Sequence, residues 1–181
     1  VYNPSDNSII KINLKTDDSE IWSDLTTLTA SIQASKTDVN TVSDLELDIN
    51  LRSMSGGFMY QLGEYTDNEG VLQVFVEKIN LTDISSHKTV YTVPYNDKVV
   101  LGDYAVLVVY GVLVDNDCLF IMTLNKVTKV DLNTSSVSYI NVPANMGFGF
   151  GQMAEMVVLE NFLYVPSPMT GTILKINLEE F

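Results

Sequence analysis

His87 is the only histidine in the chain. Any Ser–His–acid catalytic set would have to use it, because the base in such a set is an imidazole. It stands in Ser85-Ser86-His87-Lys88, which reads as an exposed polar turn, and no Gly-x-Ser-x-Gly elbow accompanies it. A zinc site is equally short of ligands, since zinc takes several His or Cys side chains. Cys118 is the only cysteine, so an intrachain disulfide is impossible. It precedes Leu119-Phe120 and reads as a buried, inert thiol.

Oxygen ligands are more plentiful. Acidic turns occur at Asp17-Asp18, Asp67-Asn68-Glu69-Gly70 and Asp115-Asn116-Asp117. Calcium takes six to eight oxygens, and one such turn supplies only two or three. Asp115 and Asp117 are the best calcium candidates; the alternative is Asp/Asn turn chemistry, in which the side chain bonds its own backbone. Otherwise no cofactor is expected. A glycosidase needs two carboxylates about 5–10 Å apart, but with 23 acids the sequence selects no pair.

Gly147-Phe148-Gly149-Phe150-Gly151 is not a phosphate loop, because it lacks the Lys-Ser/Thr ending. Phe148 and Phe150 could form an aromatic face loop that touches a sugar or a protein, or pack between sheets. Two Asn-x-Ser/Thr sequons start at Asn80 and Asn133; in a secreted eukaryotic protein they would be glycan acceptors.

The elements that would position these residues come from a repeat. The phrase Ile-Ile-Lys-Ile-Asn-Leu (Ile9–Leu14) returns as Val76–Leu81, Val127–Leu132 and Ile173–Leu178. Its lysines, Lys11, Lys78, Lys129 and Lys175, lie about 67, 51 and 46 residues apart, close to the period of propeller blades. They read as solvated, outward positions. An apolar–aromatic pair precedes each phrase (Val1-Tyr2, Met59-Tyr60, Leu119-Phe120, Leu163-Tyr164), and Val93-Pro94 and Val142-Pro143 close two of the units. Val, Ile, Tyr and Phe bounded by Asn, Asp, Gly and Ser predict four short strands per unit. In the third unit these are about 105–114, 118–123, 127–132 and 136–142.

These units resemble β-propeller blades of the NHL and quinoprotein-like kind, with residues 119–143 and 163–180 carrying the likeness. The resemblance implies an all-β fold of antiparallel four-stranded blades, two whole and two partial; a β-sandwich is the alternative. The expected divisions are a partial blade at 1–24, a polar connection at 25–44 with a short helix as its alternative, blades at 45–95 and 96–143, and a partial blade at 144–181. No family's functional residues carry over, because neither the Gly-His…Trp-Asp signature nor paired glycines at kelch spacing are present.

Composition narrows the partners. Ten bases against 23 acids give a net charge of −13, which excludes nucleic acid and disfavours anionic membranes. The longest apolar run, Tyr104–Val114, is about 11 residues, too short to span a bilayer. A propeller closes with about four to eight blades. The chain is therefore expected to belong to a longer propeller, or to pair its terminal strands with neighbouring copies in a ring or filament. The functional expectation is a non-catalytic scaffold for protein binding or self-assembly, extracellular or on a particle surface. The alternative is a fragment of a propeller hydrolase or lyase acting on sugars or lactones.

Overall fold

The computed structural model describes residues 2–3, 8–12, 16, 19–36, 45–94, 99–101, 104–106, 109–143, 155–167 and 170–181. Strands β1 (Tyr2–Asn3), β2 (Ser8–Ile12) and β3 (Ser19–Asp24) form sheet I, and helix α1 (Leu25–Ser35) follows. Sheet II comprises β4 (Glu46–Ser55), β5 (Phe58–Thr66), β6 (Leu72–Asn80) and β7 (Asp83–Thr92). A hairpin of β8 (Val99–Leu101) and β9 (Tyr104–Val106) comes next. Sheet III holds β10 (Val109–Asp115), β11 (Cys118–Thr123), β12 (Lys126–Asp131) and β13 (Val137–Asn141). Sheet IV holds β14 (Val157–Leu159), β15 (Phe162–Ser167) and β16 (Thr172–Asn177). Within each sheet the spatial order follows the chain, and all paired strands are antiparallel. The all-β expectation with four-stranded sheets holds.

The repeated phrase has a local physical cause. Its Asn or Asp turns the chain by accepting the amide two residues on: Asn80 from Thr82 at 2.9 Å, Asp131 from Asn133 at 2.9 Å, Asn177 from Glu179 at 3.1 Å. Its final leucine amide then bonds the turn before the second strand: Leu81 to Gly57, Leu132 to Asp117, Leu178 to Asn161. The two Val-Pro units close alike. Val93 donates to Val74 and Val142 to Asn125, both at 2.8 Å, and proline then ends the pairing. Positive φ at Gly56 and Gly57, and at Asn116 and Asp117, gives the tight hairpins before β5 and β11.

Sheets II, III and IV stack face to face. Tyr60, Leu62 and Val76 of sheet II pack on Val114, Leu119, Ile121 and Val130 of sheet III. On the other face of sheet III, Phe120, Met122 and Val127 pack on Leu163, Val165 and Ile176 of sheet IV. First strands also meet: β10 runs beside β4, and the Val114 amide donates to Ser53 Oγ at 2.9 Å.

Three expectations are corrected, and in the polar connection the alternative of a short helix holds. The polar connection contains a helix over 25–35, because Leu28 and Ile32, one turn apart, are both fully buried on sheet II. The apolar run Tyr104–Val114 is divided between two strands, since β9 pairs with β8 while β10 pairs with β11. Ser85–Lys88 is no turn: it lies inside β7, which pairs with β6. Three of the four phrase lysines are not simply solvated. Lys78 sits 3.9 Å from the Phe58 ring centroid, Lys175 3.8 Å from that of Phe162, and Lys129 5.6 Å from that of Phe181.

Leu119 is fully buried between sheets II and III. Leu119→Ala is expected to lower the unfolding free energy by about 2–5 kcal/mol, read as a lower urea midpoint at unchanged slope. A cost within about 0.5 kcal/mol, as at an exposed site, would contradict the packing of these two sheets.

Candidate functional site

The face of sheet II turned towards α1 carries a connected cluster of chemically capable side chains. The second position of the repeated phrase is Glu77 in sheet II, against Thr128 and Leu174 in sheets III and IV. Its carboxylate is 1% exposed, and a bare buried charge there would be costly. Both oxygens are satisfied. Oε1 lies 2.8 Å from His87 Nδ1; Oε2 accepts from Thr89 Oγ1 at 2.8 Å and from Lys36 Nζ at 3.3 Å. Lys36 also donates to Thr89 Oγ1 and lies 4.0 Å from the Phe75 ring centroid. The other imidazole nitrogen, His87 Nε2, is 3.1 Å from Ser31 Oγ on α1.

Three elements build this arrangement. Glu77 is directly opposite Thr89, and Ile79 opposite His87, so β6 and β7 put these side chains on one face. Helix α1 brings Ser31 beside the fully buried Ile32, and Lys36 follows its last turn. The expected exposed turn histidine is therefore corrected: the His87 side chain is 5% exposed and held against the Glu77 carboxylate. The chain's one histidine, a serine and an acid do come together as a Ser31–His87–Glu77 relay. The sequence signal was the carboxylate at a phrase position that holds Ile, Thr or Leu elsewhere.

The relay is built differently from a hydrolase centre. Ser31 lies in the middle of α1, where backbone N–H groups are committed to the helix. An oxyanion needs free, preorganised donors beside the nucleophile. Lys36 and Thr89 also hold the acid from its other side. The cleft of about 300 Å³ lined by Glu46, Leu47, Asp48, Leu62, Gly63 and Glu64 does not include Ser31. What the relay accomplishes physically is to fasten α1 to sheet II across a face that also buries Gln61, whose Nε2 donates to the carbonyls of Asp48 and Leu62.

The cleft is acidic. Glu46 is directly opposite Glu64. Burial, then the charges of Glu46 and Asp48, push the Glu64 carboxyl above its ordinary range.

The other candidates lie apart. Asp115 and Asp117 flank the β10–β11 turn: Asp115 accepts from Asn116 at 2.8 Å, and Asp117 from the Asn133 side chain at 3.5 Å. Among the described residues no group of three or more His, Cys, Asp or Glu side chains could hold a metal ion. Cys118 is half-buried, which corrects its expected burial, and desolvation raises its thiol pKa. Asn133 is exposed in the turn after β12, and Asn80 is half-buried at the end of β6. Phe148 and Phe150 lie outside the described residues.

Two outcomes follow. Glu77→Ala leaves His87 and Lys36 without their acceptor and is expected to cost about 3–5 kcal/mol. The double variant Glu77→Leu/His87→Leu should recover part of this, and a thermodynamic cycle from denaturant melts measures the coupling. Additive single effects would mean that the two side chains do not interact. Glu64→Gln is expected to raise Tm at pH 7. The sign follows from linkage: with its folded pKa raised, Glu64 favours folding fully below its unfolded pKa and loses this as pH rises through the folded pKa. The advantage of the glutamine should therefore vanish below about pH 4; an advantage constant with pH would refute the charge origin.

No protein-family model matches the chain, and no curated protein matches it either.

Proposed function

We propose that the chain is a non-catalytic segment of a β-propeller, of the NHL or quinoprotein-like kind, that serves as a scaffold for protein binding or assembly. The observation that carries this reading is the outer face of sheet IV. Val157, Leu159 and Ile173 are 54%, 61% and 65% exposed, while their sheet buries its other face on sheet III. An apolar face left open on a folded sheet is a binding surface. The acidic balance favours basic or neutral partners. An extracellular or particle-surface setting belongs to the same proposal, with Asn133 and Asn80 as its glycan acceptors.

A second reading, a hydrolase, draws on the distances of 3.1 Å and 2.8 Å along Ser31–His87–Glu77. The mid-helix position of Ser31 weighs against it. Labelling with a fluorophosphonate probe separates the two. The scaffold reading expects no adduct on Ser31. An adduct on Ser31 that His87→Ala abolishes, with fold intact by circular dichroism, would replace the scaffold with an enzyme.

A further inference from the structure

Three sheets of this chain carry the same face, and two of them show what covers it. In sheet II the face is Phe58, Tyr60, Leu62, Val76 and Lys78; sheet III lies over it. In sheet III it is Cys118, Phe120, Met122, Val127 and Lys129; sheet IV lies over it. In sheet IV the register pairs Phe162 with Asn177, Tyr164 with Lys175 and Pro166 with Ile173, which generates the same face again. Lys175 lies over Phe162 and, at 5.7 Å, Tyr164; Lys78 lies over Phe58 and, at 5.6 Å, Tyr60.

The covering side is also uniform. It consists of Leu119, Ile121 and Val130 in sheet III, and Leu163, Val165 and Ile176 in sheet IV. At the III–IV contact the repeat lysine has further partners across the interface. Lys129 Nζ approaches the Leu178 carbonyl at 3.5 Å and the Phe181 ring, which packs edge-on against Phe120 at 5.9 Å.

We infer that the outer face of sheet IV docks one kind of partner: a further sheet of this repeat. Such a sheet presents Leu, Ile or Val at alternate positions of its two central strands. After its third strand it offers a carbonyl to Lys175. The inference rests on the scaffold reading and names its partner. The argument is continuity: the same face is met by the same covering chemistry at both interfaces already formed. Self-pairing of two copies through this face would instead set lysine and aromatics against lysine and aromatics, an arrangement that neither existing interface uses. Among sheets II, III and IV no covering side is open for a second copy, because II carries α1 on that side and III and IV are occupied.

The test appends a copy of residues 109–143, the four strands of sheet III, after Phe181 through a flexible Gly/Ser linker of about 20 residues. The appended strands are expected to exchange their amides at least about tenfold more slowly than an unfolded peptide. Binding of a hydrophobic dye by the parent chain should fall. Ile173→Lys in the appended protein should abolish both effects while the parent strands stay protected. An appended copy that exchanges like unfolded peptide on a folded parent overturns the inference. So does a wild-type chain that sediments as a dimer and becomes a monomer with Ile173→Lys, since the face would then pair with itself. If the parent never binds the dye, the binding-surface reading falls as well; if it binds dye and only the appended sheet stays loose, that reading stands and this partner alone is rejected.

Discussion

The central strands of sheets II and III are apolar on both sides, and that constraint governs the rest. β5 buries Tyr60 and Leu62 one way and Met59 the other; β11 buries Phe120 and Met122 one way, Leu119 and Ile121 the other. An antiparallel sheet commonly leaves one face to water, and such a sheet can end a structure. A sheet with two apolar faces cannot. Each must be covered twice, and stacking sheet upon sheet does this with one repeated unit. Chain order, strand order and stacking order then coincide, as they do from sheet II to sheet IV.

Helix α1 is best understood as the answer to that constraint on one side of sheet II. Its partner face is the most polar of the stack, with Glu77 and Gln61 buried among Met59, Phe75 and Ile79. A buried carboxylate adds little net stability, since desolvation offsets most of the ionic gain. It does make the contact selective. Lys36, His87, Thr89 and Ser31 engage Glu77 and one another only when the helix sits at one position and rotation. Leu28 and Ile32 hold α1 down, and the polar relay fixes where.

The fold was legible in the sequence where local chemistry repeats. The Asn/Asp turn, the closing leucine amide and the Val-Pro stop are each set by residues close in the chain, so the phrase announced the strands. The helix was harder to read because Leu25–Ser35 is rich in Thr and Ser, with only two fully buried side chains to mark its face. His87 was misread for a related reason: Ser85-Ser86-His87-Lys88 has turn composition, yet β6 offers it an open ladder and Glu77 offers it a charge. No spacing rule joins Ser31 to His87 across 56 residues. The clue available was Glu77, an acid at a phrase position whose other copies hold Ile, Thr or Leu.

The repeat lysine shows how one residue serves two environments. Over its own sheet's aromatic rings, as at Lys78 and Lys175, the ammonium gains a cation–π contact. Its four-carbon stem covers apolar surface meanwhile. At Lys129 the position equivalent to Phe58 and Phe162 is Cys118, too small to offer a ring. The ring comes instead from Phe181 of the following sheet. The charge thus stays satisfied whether its ring is supplied from below or from above. This explains why an ion can recur at a stacking interface without requiring a carboxylate. It also gives the interface a direction: lysine and aromatics on one side, plain aliphatics on the other. Two unlike faces favour head-to-tail stacking over symmetric pairing, and a head-to-tail contact leaves its last copy open unless the stack closes into a ring.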